Sequence, residues 1–143
     1  MLCGPMDCIR MIVDRGWNQG DLKVIDELYS PHVIQYDVTS GVAEHVGLAG
    51  QKKQITELRA IFPDLHVAAD EIIGMGHKVV ARMTFSGTHR GLWLGISPTN
   101  RHVTWGCIVI YRFVSNQIQE AWVAEDLYGA LRQLGAGLAR QAA

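Results

Sequence analysis

Apolar residues recur at helical spacing as far as Phe62 and at alternate positions after Leu65. That change of period limits the fold most, because helices followed by consecutive strands pack as an α+β domain. Ile9, Ile12, Val13 and Trp17 predict a helix over 6–17. Gly20-Asp21 opens a second helix, with Leu22, Ile25, Leu28 and Tyr29 on one face and Pro31 as its stop. Residues 32–36 read as a short strand, and the Gly-rich stretch 41–50 as a loop. Ile55, Leu58, Ile61 and Phe62 predict a third helix over 51–62, ended by Pro63.

The rest is mostly strand. Residues 65–73 and 78–85 form one hairpin through the Gly74-Met75-Gly76-His77 turn. Residues 88–94 extend the sheet past a kink between Gly87 and Gly91. Residues 102–113 and 117–123 form a second, longer hairpin, and 127–134 a short closing helix. The expected fold is a single α+β domain over 1–143, with three N-terminal helices against one face of a curved antiparallel sheet.

A chain of 143 residues buries roughly two thirds of its unfolded surface, enough for a core and a small pocket. Its net charge of −1 leaves no electrostatic footprint for nucleic acid. Its apolar runs are too short to cross a bilayer. The opening MLCGPMDCIRMIVDRG lacks the pattern of a secretory signal, since Asp7 and Arg10 interrupt it. Cys3, Cys8 and Cys107 are an odd number without metal spacing, which predicts a reduced, cytoplasmic protein. Cys3 and Cys8 read as incidental, Cys107 as a small core residue. No pair of histidines has metal spacing, and none of the four lysines sits where an amine would be desolvated.

The stretch AWVAED raises the question of chemistry. With Ser115-Asn116 as a two-residue loop, Phe113 faces Ile118, Val109 faces Trp122, Cys107 faces Ala124 and Trp105 faces Asp126. Asp126 then ends an apolar row beside two tryptophans. A carboxylate there loses hydration, as a general base near neutral pH requires. Glu125 points to the other, solvated face. A slip of one residue would exchange the two acids. Asp126 also directly precedes the last helix, where aspartate is a preferred N-cap, so both roles stand open.

Several short motifs occur in order: Asn18-Gln19-Gly20-Asp21-Leu22, Phe62-Pro63-Asp64-Leu65, Gly87-Thr88-His89-Arg90-Gly91 and Gly95-Ile96-Ser97-Pro98-Thr99. Arg112-Phe113, Ile118-Gln119-Glu120-Ala121-Trp122, Asp126 and Gln133-Leu134-Gly135 follow. Over about residues 8–135 this order resembles the SnoaL-like polyketide cyclases, an ester-cyclase family of the nuclear-transport-factor-2-like superfamily. The resemblance implies a cone, a curved sheet wrapped round helices with a pocket in its mouth. It implies that Asp126 is the acid/base of an intramolecular aldol closure of a polyketide-like ester, with no cofactor or metal. Gln35 stands where many members carry a histidine. Val114-Ser115-Asn116 replaces their more usual acidic-glycine turn.

Among the other residues, His89 is a candidate to bind a substrate carbonyl or to orient Asp126. Trp122, Trp105, Tyr36, Gln35, Trp17 and Trp93 are candidate contacts to a small hydrophobic, aromatic ligand. Residues 91–95 around Trp93 read as a lip. Ile108, Ile110, Ala121 and Val123 form an apolar patch that predicts a homodimer through the sheet face. Two rivals to the cyclase reading stand. One is an epoxide hydrolase or isomerase in which Asp70 and Arg82 converge on Asp126. The other is a binding protein without catalysis.

Overall fold

Pro5 takes the first helical position, where its missing N–H costs nothing, and opens α1 (Pro5–Met11). The helix runs on into a wider π-helical stretch, Ile12–Trp17, so the whole span 6–17 is helical. This computed structural model of the chain describes residues 3–135. Cys3 and Cys8, expected to be unpaired, are joined in a disulfide across the start of α1. Their Cα atoms lie 5.9 Å apart, within bridging range.

α2 (Lys23–Leu28) ends earlier than expected. Tyr29 is already extended, and β1 (Tyr29–Asp37) carries Pro31 inside it. Pro31 has no N–H to give, and the ladder of β1 is irregular between Tyr29 and Ile34, where it lies. The expected loop at 41–50 holds a short strand, β2 (Ala43–Val46), and the first turn of α3 (Gly47–Ile61). The long hairpins follow: β3 (His66–Met75) with β4 (Lys78–Thr88), then β5 (His102–Val114) with β6 (Gln117–Glu125). α4 (Leu127–Gln133) closes the described chain.

The six strands form one open sheet in the order β2-β1-β6-β5-β4-β3. It is mixed rather than wholly antiparallel, because β1 runs parallel to β6. β1 lies beside β6 only after the chain has passed through α3 and β3–β5. Residues 88–94 do not extend the sheet. β4 ends at Thr88, and Trp93 pairs with Ile96 across a tight turn in which Leu94 and Gly95 both have positive φ.

Alternation along β4 and β5 puts Val79, Ala81, Met83 and Phe85 with Val103, Trp105, Cys107, Val109 and Tyr111 on the inner face, all buried. Ile9, Ile12, Val24, Ile25 and Ile55 cover that face from the helices. The convex face keeps Ile108 and Ile110 exposed. Ala121 and Val123, expected beside them, face inward: Ala121 is 1% exposed and Val123 lines a cavity. No helix among the described residues is long and apolar enough to cross a membrane.

Candidate functional site

The register of the last hairpin decides which acid faces inward. Ser115 and Asn116 do form the two-residue turn, both with positive φ. Phe113 faces Ile118 as the spacing predicts, but Arg112 then faces Glu120 and leaves Gln119 as an extra residue. This bulge shifts every later pair by one. Val109 faces Val123, Cys107 faces Glu125, and Ile110 faces Trp122. The expected pairs Val109 with Trp122, Cys107 with Ala124 and Trp105 with Asp126 do not form.

Glu125 therefore projects from the end of β6 into a cavity of about 240 Å³ inside the curved sheet. Its Oε2 accepts a hydrogen bond from Trp105 Nε1 at 2.9 Å. Glu125 is exposed as a residue, as Asp126 is, yet protein packs densely enough round its carboxyl group to take away part of its hydration. Burial raises its pKa, the Trp105 N–H pulls it partly back, and the charges of Glu44 and Asp37 raise it further.

Asp126 takes the other place. Its Oδ1 accepts from Gly129 N at 2.8 Å, which caps α4, and the residue is exposed and outside the cavity lining.

Trp17, Phe85 and Trp93 supply an aromatic wall, with Trp17 meeting Phe85 edge-on at 5.1 Å. Trp105 stacks behind Phe85 at 5.5 Å and touches Trp93 at 5.0 Å. Gln35 also lines the cavity. Tyr36 and Trp122 do not: they stack on each other at 6.0 Å on the convex face, where the bulge has turned Trp122. His89 is fully buried behind Trp93 and Phe62, not in the lining. Its Nδ1 accepts from Thr99 N at 3.2 Å, tying the two ends of the 89–101 excursion together. Nε2 has no partner among the described residues.

Asp70 and Arg82 are off the cavity too. Arg82 pairs with Glu71 at 3.4 Å, as expected across the first hairpin. Asp70 lies 3.8 Å from Arg82 beside Thr84. The hydrolase trio is not assembled.

Sequence reasoning did not single out Glu44, His45, Gln54 and Glu57, which also line the cavity. Glu44 and His45 come from β2, the strand hidden in the supposed loop. Burial lowers the His45 pKa against the pull of Glu44 and Glu57, which favours the neutral ring. The described residues lining the cavity include no lysine or arginine. No group of three or more His, Cys, Asp or Glu among the described residues is arranged to hold a metal ion.

A family model described as SnoaL-like polyketide cyclase matches residues 7–134. The chain belongs to the SnoaL-like polyketide cyclase family. Its sheet is the open, curved sheet of that family's cone. TsrD from Streptomyces laurentii is 30% identical, with 91% of this chain and 93% of that one covered and a TM-score of 0.82. IdmH from Streptomyces antibioticus, described as a candidate polyketide cyclase, is 29% identical over 93% of this chain and 99% of its own, with a TM-score of 0.79. AclR from Streptomyces galilaeus, described as a candidate hydroxylase, is 28% identical over 90% and 93%, with a TM-score of 0.78. A search of curated protein sequences returns no match.

Proposed function

We propose that this SnoaL-like protein is an acid/base enzyme for a hydrophobic carbonyl compound, that Glu125 carries the proton, and that the reaction is intramolecular aldol closure of a polyketide-like ester. The observation that carries the reading is the carboxylate of Glu125, held by Trp105 against an aromatic wall in a cavity it shares with Glu44 and Glu57, with its pKa raised by burial. Such a group can take a proton from a carbon between two carbonyls near neutral pH. The carbanion attacks a second carbonyl of the same molecule and forms the ring bond. The new alkoxide then takes the proton back from the Glu125 carboxyl, so the base is regenerated and no co-reactant is used.

The likeness to AclR supports a second reading. There the same carbanion would add dioxygen instead of a carbonyl and take the proton back from Glu125, giving a hydroperoxide in place of a ring. Both readings begin with proton removal, and only the first gives a ring without consuming oxygen.

The test is deuterium exchange from the activated methylene of an aromatic β-keto ester, followed by NMR. Wild type is expected to catalyse exchange, Glu125→Gln to lose it by at least a hundred-fold, and Asp126→Asn to keep it within a few-fold. Loss in Asp126→Asn with retention in Glu125→Gln would assign the proton to the other acid. Binding of the ester without exchange by wild type would sink the catalytic reading for this class.

The convex face, with Ile108 and Ile110 exposed, is the surface we assign to a second copy of the chain. Sedimentation of wild type against Ile110→Lys tests it; a wild type that stays monomeric at 100 µM or so ends the idea.

A further inference from the structure

Gln35, Ala121 and Tyr111 occupy one row across three neighbouring strands. Gln35 on β1 pairs with Ala121 on β6, and Ala121 pairs with Tyr111 on β5. Paired residues point to the same side of a sheet, here the inner one. Two strand spacings put the Gln35 and Tyr111 backbones about 9.5 Å apart. Between them stands only the methyl group of Ala121. The row is therefore a notch in side-chain height with a polar side chain on each bank; both banks line the cavity, and Ala121 itself, 1% exposed, does not.

Each bank holds one unused donor. Gln35 is 7% exposed and belongs to a cluster of three amides with Gln51 and Gln54. The orientation of the cluster is set by one backbone oxygen. The carbonyl of His45 can only accept, so Gln51 turns its Nε2 toward it, at 3.1 Å. Gln51 Oε1 then accepts from Gln54 Nε2 at 2.7 Å. Gln35 Oε1 accepts from both neighbours, at 3.3 and 3.0 Å, and Gln35 Nε2 donates to Gln54 Oε1 at 3.3 Å. Each amide nitrogen has two hydrogens. Those of Gln51 and Gln54 are all engaged, and one on Gln35 is left. On the other bank, Tyr111 is 4% exposed, and its hydroxyl has no hydrogen-bond partner among the described residues. Burial holds it in the protonated, donating form.

We infer that the notch over Ala121 is a carbonyl-anchoring site, in which Gln35 Nε2–H and Tyr111 O–H both donate to one oxygen of the substrate. The inference rests on the cavity being the substrate site, as in the function proposed above. It adds a length to the substrate. Glu125 lies four residues along β6 from Ala121, about 13 Å at strand rise. The row between them, Val123 with Val109, is apolar. The matching molecule is elongated and neutral, with a carbonyl at its inner end, an apolar middle, and the acidic carbon at the Glu125 end.

Two naphthalenes of one shape test the notch: 2-acetylnaphthalene, and 2-isopropenylnaphthalene, in which CH₂ replaces the oxygen. Calorimetry is expected to show the ketone binding wild type about ten-fold more tightly, the effect of two neutral hydrogen bonds. Tyr111→Phe removes only an unpartnered hydroxyl, so it folds, and it should lose several-fold of that preference. Gln35→Glu keeps both bonds that Gln35 accepts and lacks the donor; it should lose a similar share. Tyr29→Phe, from the other hydroxyl-bearing residue of the lining, should leave the preference unchanged. Glu125→Gln should also leave it unchanged, which separates this site from the proton-transfer reading. Equal binding of the two probes to wild type, no binding of either, or a preference that survives in both Tyr111→Phe and Gln35→Glu overturns the inference.

Discussion

Trp105 Nε1 donates to Glu125 Oε2 at 2.9 Å, so the group proposed to move a proton is held by a residue of the aromatic core. That bond opposes the effect of burial on Glu125. Trp105→Phe keeps most of the ring packing and removes the donor. The midpoint of the pH–exchange profile should move to higher pH, and the fold should lose about 1 kcal/mol. An unmoved midpoint would separate Trp105 from the carboxyl group.

The raised pKa of Glu125 also has a consequence for stability. The folded chain holds this proton more tightly than the unfolded chain does. Protons are therefore released on unfolding in the window from the ordinary value of 4.5 up to the raised one. Wild-type stability falls as pH rises through that window and is fully retained below it. Glu125→Gln has no such loss. Urea unfolding at pH 4 and pH 8 should show Glu125→Gln gaining on wild type at the higher pH. A constant difference would mean that the carboxyl group is not perturbed by folding.

Asp126 answers to a different measurement. Asp126→Ala removes the cap of α4 and should cost about 1 kcal/mol, a few degrees in Tm for a chain of this size. Asp126→Asn should recover much of it, because asparagine also caps. A loss well above 3 kcal/mol would point to a role beyond the cap.

The exchange of these two acids shows what the sequence carries and what it hides. The turn at Ser115-Asn116 and the two long hairpins that follow α3 are local matters of φ and alternation, and they were legible. The bulge at Gln119 is not: no glycine or proline marks it, and it follows from how β6 meets β1 and β5 at once. One extra residue turned Trp122 and Asp126 outward and Glu125 inward. β2 was missed for a related reason. Four residues, AEHV, earn strand geometry only by pairing with β1 at the sheet edge. The aromatic wall was partly legible, since Trp17 and Trp93 do line the cavity, whereas Tyr36 moved with its partner Trp122. His89 looked like a turn residue, and its burial depends on Phe62 and Trp93 closing over it.

Cys107 gives a last check on the cavity floor. It faces Glu125 across the hairpin, is 6% exposed, and is the one free cysteine among the described residues. Burial, with a smaller push from the Glu125 charge, drives its thiol up to about 12. Only the thiolate reacts, so at pH 8 the folded protein should be alkylated by iodoacetamide about a thousand-fold more slowly than the urea-unfolded chain. A bound ligand should slow it further, because Cys107 lines the cavity that the ligand fills. Glu125→Gln removes the neighbouring charge and should speed the folded-state reaction modestly. Fast alkylation of the folded protein would place Cys107 in a wetter and less apolar site than the inner face of β5 provides, and it would weaken the argument for a desolvated Glu125 beside it.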